Sequence, residues 1–463
     1  MKKIVQTIKK QWAQVLAVFV FIFFIGSRLW MYVRYGAAGF GYDTGIYRHY
    51  IRGYFERFGD NTIEPFGFSS FSNALHFLGN STDNILFFWY MFIGVILGIL
   101  FYTVVQLYTK NKNTALIAFI LFSTSIVQFE FFWWFYYRNT LGLFFVLLSF
   151  IFLYYRSYLL ILTLLVIGTI HPLSLIPIGL MLIIQCIFDK EKRTYLFISG
   201  GVALFAILLL NIQEIKGYAS LLFQKDVYVD DLAKQNEGEF TGQFISLAFY
   251  VRVAFIYIIF GLLGVVYYFK KYKELGLFLV INAILFALGI LFYRRFIIFF
   301  DIAALFFASV FLSHLLEKSK QSQYVKVVSI LFFALLFFQQ IRYIADKRPL
   351  VRPLDVRNVE SIDQLISSDA YILTINSHYA PWLQGFTTKD IIAPGMFEHD
   401  QWTFSQWEQF WYSPYSEDRL SLLALYSKDI YIFIGDKDRT FISILESDEH
   451  FIPITAYLWR VSL

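Results

Sequence analysis

Asp43 and His171 are the side chains best placed for acid–base chemistry in a sequence that is otherwise strongly apolar. Asp43 stands in FGYDTGIYRHY, after the first long apolar run, with Arg48 and His49 close behind it. A carboxylate there could accept a proton or bind a metal ion, whereas capping of the following helix is the competing interpretation. His171, in TIHPLS, is a second potential base, unless it is a buried histidine with a structural hydrogen bond.

Arginine side chains offer chemistry suited to a phosphate group. Arg294 and Arg295 lie between two apolar runs with almost no loop to hold them. A guanidinium presents a planar fork of donors to phosphate, so the pair could form a phosphate clamp, with anchoring at a membrane interface as the alternative. Glu130 and Arg138 flank the aromatic run FFWWFYY, where they could anchor the interface or pair with each other. We expect Arg138, like Arg48 and His49, to contact the substrate.

The composition indicates a membrane protein. Of the 463 residues, 58% are hydrophobic and only 16% are charged, and the mean hydropathy is +0.57. Soluble domains carry about 25% charged residues. The net charge of +5 gives no indication of a nucleic-acid partner, and none is expected. The one cysteine, Cys186, excludes a disulfide framework and a thiolate metal site.

The apolar residues form long runs that predict about eleven hydrophobic segments, since a crossing needs about 20 apolar residues. The stretch 158–188 is too long for one span and is interrupted by His171, Pro172 and Pro177. We therefore predict two short helices that enter and leave on the same side. The other candidate spans are 12–33, 84–109, 113–130, 139–155, 194–211, 244–268, 275–293, 296–316 and 327–344. With this hairpin, Lys and Arg concentrate in segments that face the cytoplasm.

The predicted membrane domain covers 1–344, and the remainder, 345–463, has the composition of a soluble domain. The N-terminus is expected in the cytoplasm as part of a retained first span. In the outer loop 34–83, aromatic residues recur at helical spacing, which predicts an amphipathic interfacial helix. The segments 371–375 and 429–434 and a region near 451–462 favour strands, which predicts a small α/β domain outside the cytoplasm. The Asp436-Lys437-Asp438 sequence is interpreted as a turn.

An aspartate after the first span, a helix in a long first outer loop, many spans and a C-terminal outer domain resemble the GT-C superfamily of membrane glycosyltransferases. This superfamily includes oligosaccharyltransferase catalytic subunits, protein mannosyltransferases and aminoarabinose transferases. By this resemblance Asp43 corresponds to the catalytic or metal-binding aspartate of the first outer loop. Glu130 is similar in position to the second outer loop, which supplies further acidic metal ligands in some members. Arg294 or Arg295 is placed like the arginines that hold the donor's phosphate.

The resemblance implies that a sugar moves from a polyprenyl-phosphate or diphosphate donor to an extracytoplasmic glycan, lipid or protein. Asp43 or His171 would be the base, and a divalent ion, Mg²⁺ or Mn²⁺, is the expected cofactor. Asp43 is followed by Thr44 rather than by a second carboxylate, which leaves a metal-free reaction open. A lipid-linked substrate transporter or flippase and a non-catalytic membrane scaffold are the alternatives. The lysine-rich inner loops favour a bacterial plasma membrane.

Overall fold

The computed structural model describes residues 2–53, 66–210, 245–288, 296–318, 322–367, 369–375, 377–394 and 399–463. These residues are mostly helical and form two compact units. The helical unit contains the described residues up to 30 and those from 66 to 347. The α/β unit contains 31–53 and the described residues from 348 onward.

The helical unit consists of helices that are largely apolar in sequence. The first helix, α1 (Lys2–Tyr35), is divided between the two units at Trp30. The remaining helices of this unit are α3 (Phe66–Phe77), α4 (Tyr90–Thr109, preceded by a π-helical turn at Asn84–Trp89), α5 (Lys112–Thr124), α6 (Ile126–Trp133), α7 (Tyr137–Tyr154), α8 (Leu159–Ile170), α9 (Pro172–Phe188), α10 (Arg193–Leu210), α11 (Leu247–Tyr268), α12 (Lys273–Ala287), α13 (Ile297–Lys318) and α14 (Gln323–Asp346).

Among the described residues, seven helices are long and apolar enough to cross a membrane, or eight if the bent pair α5–α6 is a single span. The prediction of an apolar helical protein is therefore confirmed, whereas the predicted count of about eleven segments is not. The predicted span over 113–130 coincides with this pair, and the chain bends by 52° between α5 and α6. Ser125 is extended there, and its hydroxyl accepts a hydrogen bond from the amide of Gln128. It thus caps a new helix.

The stretch 158–188 forms two helices, α8 and α9, which pack against each other on either side of His171. Pro172 occupies the first turn of α9 and His171 has a non-helical backbone. A residue before proline is driven out of the helical region, and proline itself suits the first turn of a helix. The helix pair thus matches the predicted position, and its predicted return to one side of a membrane stays a prediction.

The α/β unit is built on a five-stranded sheet with strand order β2-β1-β3-β5-β4. Strands β1 (Ala370–Thr374), β2 (Asp390–Ile392) and β3 (Asp429–Phe433) are parallel, whereas β4 (Phe451–Thr455) and β5 (Leu458–Val461) pair antiparallel. The predicted strands are thus present, with β2 in addition. The helices are α2 (Asp43–Gly53), α15 (Pro353–Leu365), α16 (Ala380–Phe386), α17 (Phe404–Tyr412), α18 (Ser416–Leu423) and α19 (Ile442–Glu446).

Each face of the sheet carries its own apolar core because strand side chains alternate between the faces. Leu373 and Ile432 pack with α17, α18 and α19 on one face. Ile372 and Phe433 pack with α15 and α16 on the other face. The segment 31–53 folds with this unit, whereas the sequence-based division placed it with 1–344. The reason is the buried packing of α2 on α16.

Candidate functional site

Asp43 lies in the first turn of α2, where it is half-buried. The preceding turn is held by Thr44, whose hydroxyl donates to the carbonyl oxygen of Gly41 at 2.8 Å. On the other side of Asp43, the hydroxyl of Tyr42 donates to the carbonyl oxygen of Ser377 at 3.0 Å. Because Ser377 follows strand β1, this bond fixes the backbone beside Asp43 to the carboxyl end of the sheet.

Helix α2 is held against α16 by a backbone approach that only glycine permits. A Cβ on Gly45 would lie 1.9 Å from the carbonyl oxygen of Pro381, and one on Gly385 would lie 2.3 Å from that of Gly45. Arg48 donates to the carbonyl oxygen of Gly385 at 2.7 Å, and Arg52 to that of Thr387. The free carbonyls at a helix end favour cationic donors.

Arg48, predicted to contact substrate, therefore positions α2 in this structure. His49 on the next position is also buried, and its ring lies near that of Tyr50. Both residues are in the α/β unit, together with Asp43. Their predicted role in substrate binding stays a prediction.

The edge of the sheet next to Tyr42 is a topological switch point. Thr374 and Phe433, the last residues of β1 and β3, are paired in register, so both strands end together. After β1 the chain enters α16 on one face, and after β3 it enters α19 on the other. In open α/β sheets, ligands bind in the crevice that opens where neighbouring connections diverge in this way.

His378 and Lys437 meet in this crevice, one from each strand end. Nε2 of His378 lies 3.1 Å from the carbonyl oxygen of Leu350 and also within hydrogen-bonding distance of Nζ of Lys437. Nε2 can donate to Leu350 only when it carries the proton, and can accept from Lys437 only when it does not. Burial and the Lys437 charge lower the pKa of His378 to about 4, so the ring is neutral near pH 7.

Asp438 is the second buried titratable group of the crevice. Burial raises its pKa to about 7, reinforced by nearby Asp355 and opposed by the Gly435 hydrogen bond and by Lys437. Tyr379, stacked on Gly435, donates to Asp355 at 3.4 Å and accepts from the Lys437 amide at 3.1 Å. The crevice therefore combines a cation, a neutral imidazole and a carboxyl group that titrates near neutral pH. Such groups could bind a polar ligand and exchange protons with it.

In the helical unit, Glu130 is held by three donors. Its carboxylate accepts from Tyr343 at 2.6 Å, from Lys347 at 2.7 Å and from Trp134 at 3.1 Å, and Nζ of Lys347 also lies 3.7 Å from the centre of the Trp133 ring. The predicted role of Glu130 as a metal ligand stays a prediction. Within the described ranges, no three His, Cys, Asp or Glu side chains converge as metal ligands would.

Helix α7 carries Arg138 and contacts the helix break at His171. Nδ1 of His171 lies 2.6 Å from the hydroxyl of Ser174, which belongs to the first turn of α9. A Cβ on Gly142 would lie 2.4 Å from that hydroxyl and 3.5 Å from the Cβ of His171, so α7 contacts the break between α8 and α9 at Gly142. Arg138 precedes Gly142 by one helical turn and shares its face of α7. Arg294 and Arg295 lie outside the described residues.

The sequence interpretation missed two buried charges in the helical unit. Arg28 on α1 is 2% exposed, and Asp301 on α13 is fully buried. Asp301 accepts hydrogen bonds from several neutral side chains of neighbouring helices, namely Tyr257 at 2.7 Å, Gln128 at 2.9 Å, Ser125 at 3.1 Å and Tyr250 at 3.3 Å. The sequence does mark both residues, because each charge interrupts a long apolar run. Charged residues in such runs are functional candidates.

Comparison with known proteins does not assign a function to this site. No family model matches the chain, and no curated protein matches it significantly. The features that bear on function are therefore the crevice of the α/β unit, Asp43 beside it, and the buried charges of the helical unit.

Proposed function

We propose that the chain is an integral membrane glycosyltransferase, with GT-C-like architecture, that transfers a sugar from a polyprenyl-phosphate or diphosphate donor. The acceptor is a glycan, lipid or protein outside the cytoplasm. The apolar helices support this proposal because a lipid-linked donor requires a catalyst in the membrane. In this proposal the N-terminus is cytoplasmic, the α/β unit is extracytoplasmic, and the membrane is a bacterial plasma membrane.

The single observation that carries the proposal is the anchoring of Asp43 beside the crevice of the α/β unit. Tyr42 bonds to the segment after β1, and the glycine approach of Gly45 to Pro381 fixes the start of α2. A half-buried carboxylate on a rigid helix start can be aligned with a bound acceptor, and orientation of this kind is a large part of catalysis. His378 and Lys437 would contribute polar contacts to the acceptor from the neighbouring strand ends.

The reaction follows from these roles. The acceptor hydroxyl attacks the anomeric carbon of the donor sugar, and the bond between that carbon and the phosphate oxygen breaks. The hydroxyl proton passes to the carboxylate of Asp43, and the lipid phosphate leaves as an anion. His171 is the alternative base to Asp43 in this proposal. A divalent metal at Asp43 stays a prediction, and no step above requires one.

A transporter of lipid-linked substrates is the second candidate. The observation in its favour is the pair of helix breaks, at Ser125 and at His171, both buried in the helical unit. Broken helices that surround a binding site are common in transporters. A transporter would bind the same lipids without cleaving them.

The test is Asp43→Asn in the full-length protein in nanodiscs, assayed with a panel of radiolabelled polyprenyl-phosphate sugars. We expect wild-type turnover of one donor and at least about a hundredfold loss in the variant. Glu408→Gln, which removes an exposed carboxylate of the same unit, is the control and retains activity. Binding of the lipids without cleavage would favour transport. Absence of both binding and cleavage would overturn the proposal in favour of a scaffold.

A further inference from the structure

Arg28 on α1 is a buried cation whose N–H donors are only partly used. Its Nη1 donates to the hydroxyl of Ser27 at 2.9 Å and to the carbonyl oxygen of Ser123 at 3.2 Å. Its guanidinium carbon lies 4.1 Å from the centre of the Phe24 ring. Among the described residues, none accepts a hydrogen bond from Nε or Nη2, and no carboxylate lies within ion-pair distance. Buried donors without an acceptor are costly, so these N–H groups favour a further partner.

A small cavity borders Arg28 in the helical unit. Two other polar side chains line it, Gln128 of α6 and Thr140 of α7, and its remaining walls are apolar and largely aromatic. The cavity leaves about 10 Å³ in which the centre of a water molecule can lie, which is room for one water. A cavity with only apolar walls stays dry, whereas a water binds where two to four polar groups can bond to it. This cavity has three such groups.

The side-chain oxygen of Gln128 is oriented by the hydrogen bonds of its amide nitrogen. Nε2 donates to Asp301 at 2.9 Å and to the carbonyl oxygen of Ile298 at 3.3 Å. Both partners are acceptors, so the nitrogen must face them and Oε1 must face away from them. In the part of the chain that the structure describes, no group donates to Oε1. Its lone pairs are therefore open to a ligand of the cavity that Gln128 lines.

Thr140 contributes a second acceptor to this cavity. Its hydroxyl donates its single proton to the carbonyl oxygen of Tyr136 at 2.9 Å, one turn earlier in the chain. A hydroxyl has one O–H donor and two lone pairs, so only acceptor capacity remains on Oγ1. The cavity is thus bordered by the N–H donors of one side chain and by the acceptor oxygens of two others.

We propose that this cavity binds one water molecule that bridges Arg28 to Gln128 and Thr140. The water accepts from Nε or Nη2 of Arg28 and donates its two protons to Oε1 of Gln128 and Oγ1 of Thr140. Chloride could only accept hydrogen bonds, so it would leave both oxygens without a donor. A metal cation would be repelled by the guanidinium. Water has both the acceptor and the two donors that this set of groups requires.

The bridge connects two buried charges that form no direct ion pair. From Arg28 it continues through the water and the Gln128 amide to the carboxylate of Asp301 on α13. Water-mediated hydrogen bonds are nearly as favourable as direct ones, so the bridge can satisfy the guanidinium inside an apolar helical unit. The network joins α1, α6, α7 and α13. It does not depend on glycosyl transfer, because it uses only contacts within the helical unit.

The first experiment is a high-resolution crystal structure of the full-length protein, with a second crystal grown in bromide. We expect a single peak in the cavity, about 2.7–3.2 Å from a guanidinium nitrogen of Arg28, from Oε1 of Gln128 and from Oγ1 of Thr140. The peak should carry no anomalous signal in bromide. An anomalous peak would identify an anion site and overturn the proposal, and so would a cavity without density. The wild-type crystals decide this even if the Arg28 variant does not fold.

The second experiment measures thermal unfolding of the full-length protein after paired substitutions. Thr140→Val removes an acceptor of the water, and Arg28→Met removes its donor, so their losses in melting temperature should overlap and sum to less in the double variant. Thr169→Val is the matched control. Its hydroxyl donates to the carbonyl oxygen of Leu165 at 3.0 Å, also one turn earlier, but Thr169 does not line the cavity. Its loss should add to that of Arg28→Met. Additive losses for Thr140→Val as well would overturn the bridge.

Discussion

Nζ of Lys437 lies against Nε2 of His378, and this contact adds to burial in keeping the imidazole neutral. The two residues come from the ends of neighbouring parallel strands, so their distance is set by the pairing of β1 with β3. Burial and the Lys437 charge together lower the pKa of His378 to about 4. Asp438, one residue beyond Lys437, has its pKa raised by burial to about 7. Both groups are therefore neutral over a shared range of mildly acidic pH.

The altered pKa values of these two groups have opposite effects on stability. His378 titrates near 6.5 when unfolded and near 4 when folded, so it costs stability as the pH falls between these values. Asp438 titrates near 3.8 when unfolded and near 7 when folded, so its stabilisation is lost as the pH rises between these values. Each effect amounts to a few kcal/mol at most, because a tenfold change in a proton's affinity corresponds to about 1.4 kcal/mol. In the wild type they largely cancel between pH 4 and pH 6.5.

Single substitutions should expose each effect. In Asp438→Asn, only the pH dependence that comes from His378 remains. The free energy needed to open β1 and β3 should then rise with pH between 4 and 6.5. In His378→Gln, only the pH dependence that comes from Asp438 remains, and the same free energy should fall as the pH rises over this range. Hydrogen exchange of the strand amides in the full-length protein, corrected for the intrinsic pH dependence, measures both slopes. If the opening free energy changed with pH in the same direction in both variants, the opposite effects of the two groups would be contradicted.

The α/β unit shows how far the sequence predicts the site. Short runs of β-branched and aromatic residues predicted β1 and β3 within a residue or two, because strand propensity is local. The sequence DKD after β3 was interpreted as a turn, and it does begin a short 3₁₀-helix at Asp436–Phe441. Its burial could not be predicted, because the placement of Asp438 and Lys437 beside His378 depends on parallel pairing of segments far apart in the chain.

In the helical unit, the sequence predicts the helices but not the break at Ser125 or the packing of the buried charges. The apolar runs are obvious in the sequence, but the break at Ser125 has no glycine or proline to mark it. The serine starts a new helix by accepting from Gln128, and its hydroxyl also donates to Asp301 on α13. Arg28 and Asp301 are visible in the sequence as single charges in apolar runs. The hydrogen bond from Gln128 to Asp301 depends on how the helices pack, which the sequence does not reveal.

The ion pair of Glu130 with Lys347 should stabilise the helical unit. The carboxylate is 4% exposed and the ammonium contacts the Trp133 ring, so removal of either partner leaves a buried, uncompensated charge. Lys347→Met and Glu130→Gln should each lower the free energy of unfolding by about 3 kcal/mol. The double variant should recover much of the loss, because neither charge remains. Thermal unfolding of the full-length protein measures this, and additive losses in the double variant would refute the pairing.

The substitution Gly45→Ala tests whether the close packing of α2 on α16 is needed. An added methyl group would meet the carbonyl oxygen of Pro381 at 1.9 Å, so Gly45→Ala must separate α2 from α16. We expect a loss of sugar transfer of at least about tenfold and faster hydrogen exchange in α2, with the strands of the sheet unaffected. Gly26→Ala is the matched control, because an added Cβ there meets nothing within 4 Å. Unchanged exchange in α2 of Gly45→Ala would show that the close approach is not needed.

Tyr42→Phe tests whether the bond to Ser377 orients Asp43 or only stabilises the unit. The substitution removes one hydroxyl, which costs about 1 kcal/mol of stability. If the bond aligns the carboxylate with the acceptor, kcat should fall about tenfold while the KM for the lipid donor stays constant, because donor binding does not involve this hydroxyl. Tyr415→Phe, which removes the hydroxyl of an exposed tyrosine in the same unit, should leave both constants unchanged. A purely structural bond would lower the melting temperature and leave kcat of the folded fraction at the wild-type value.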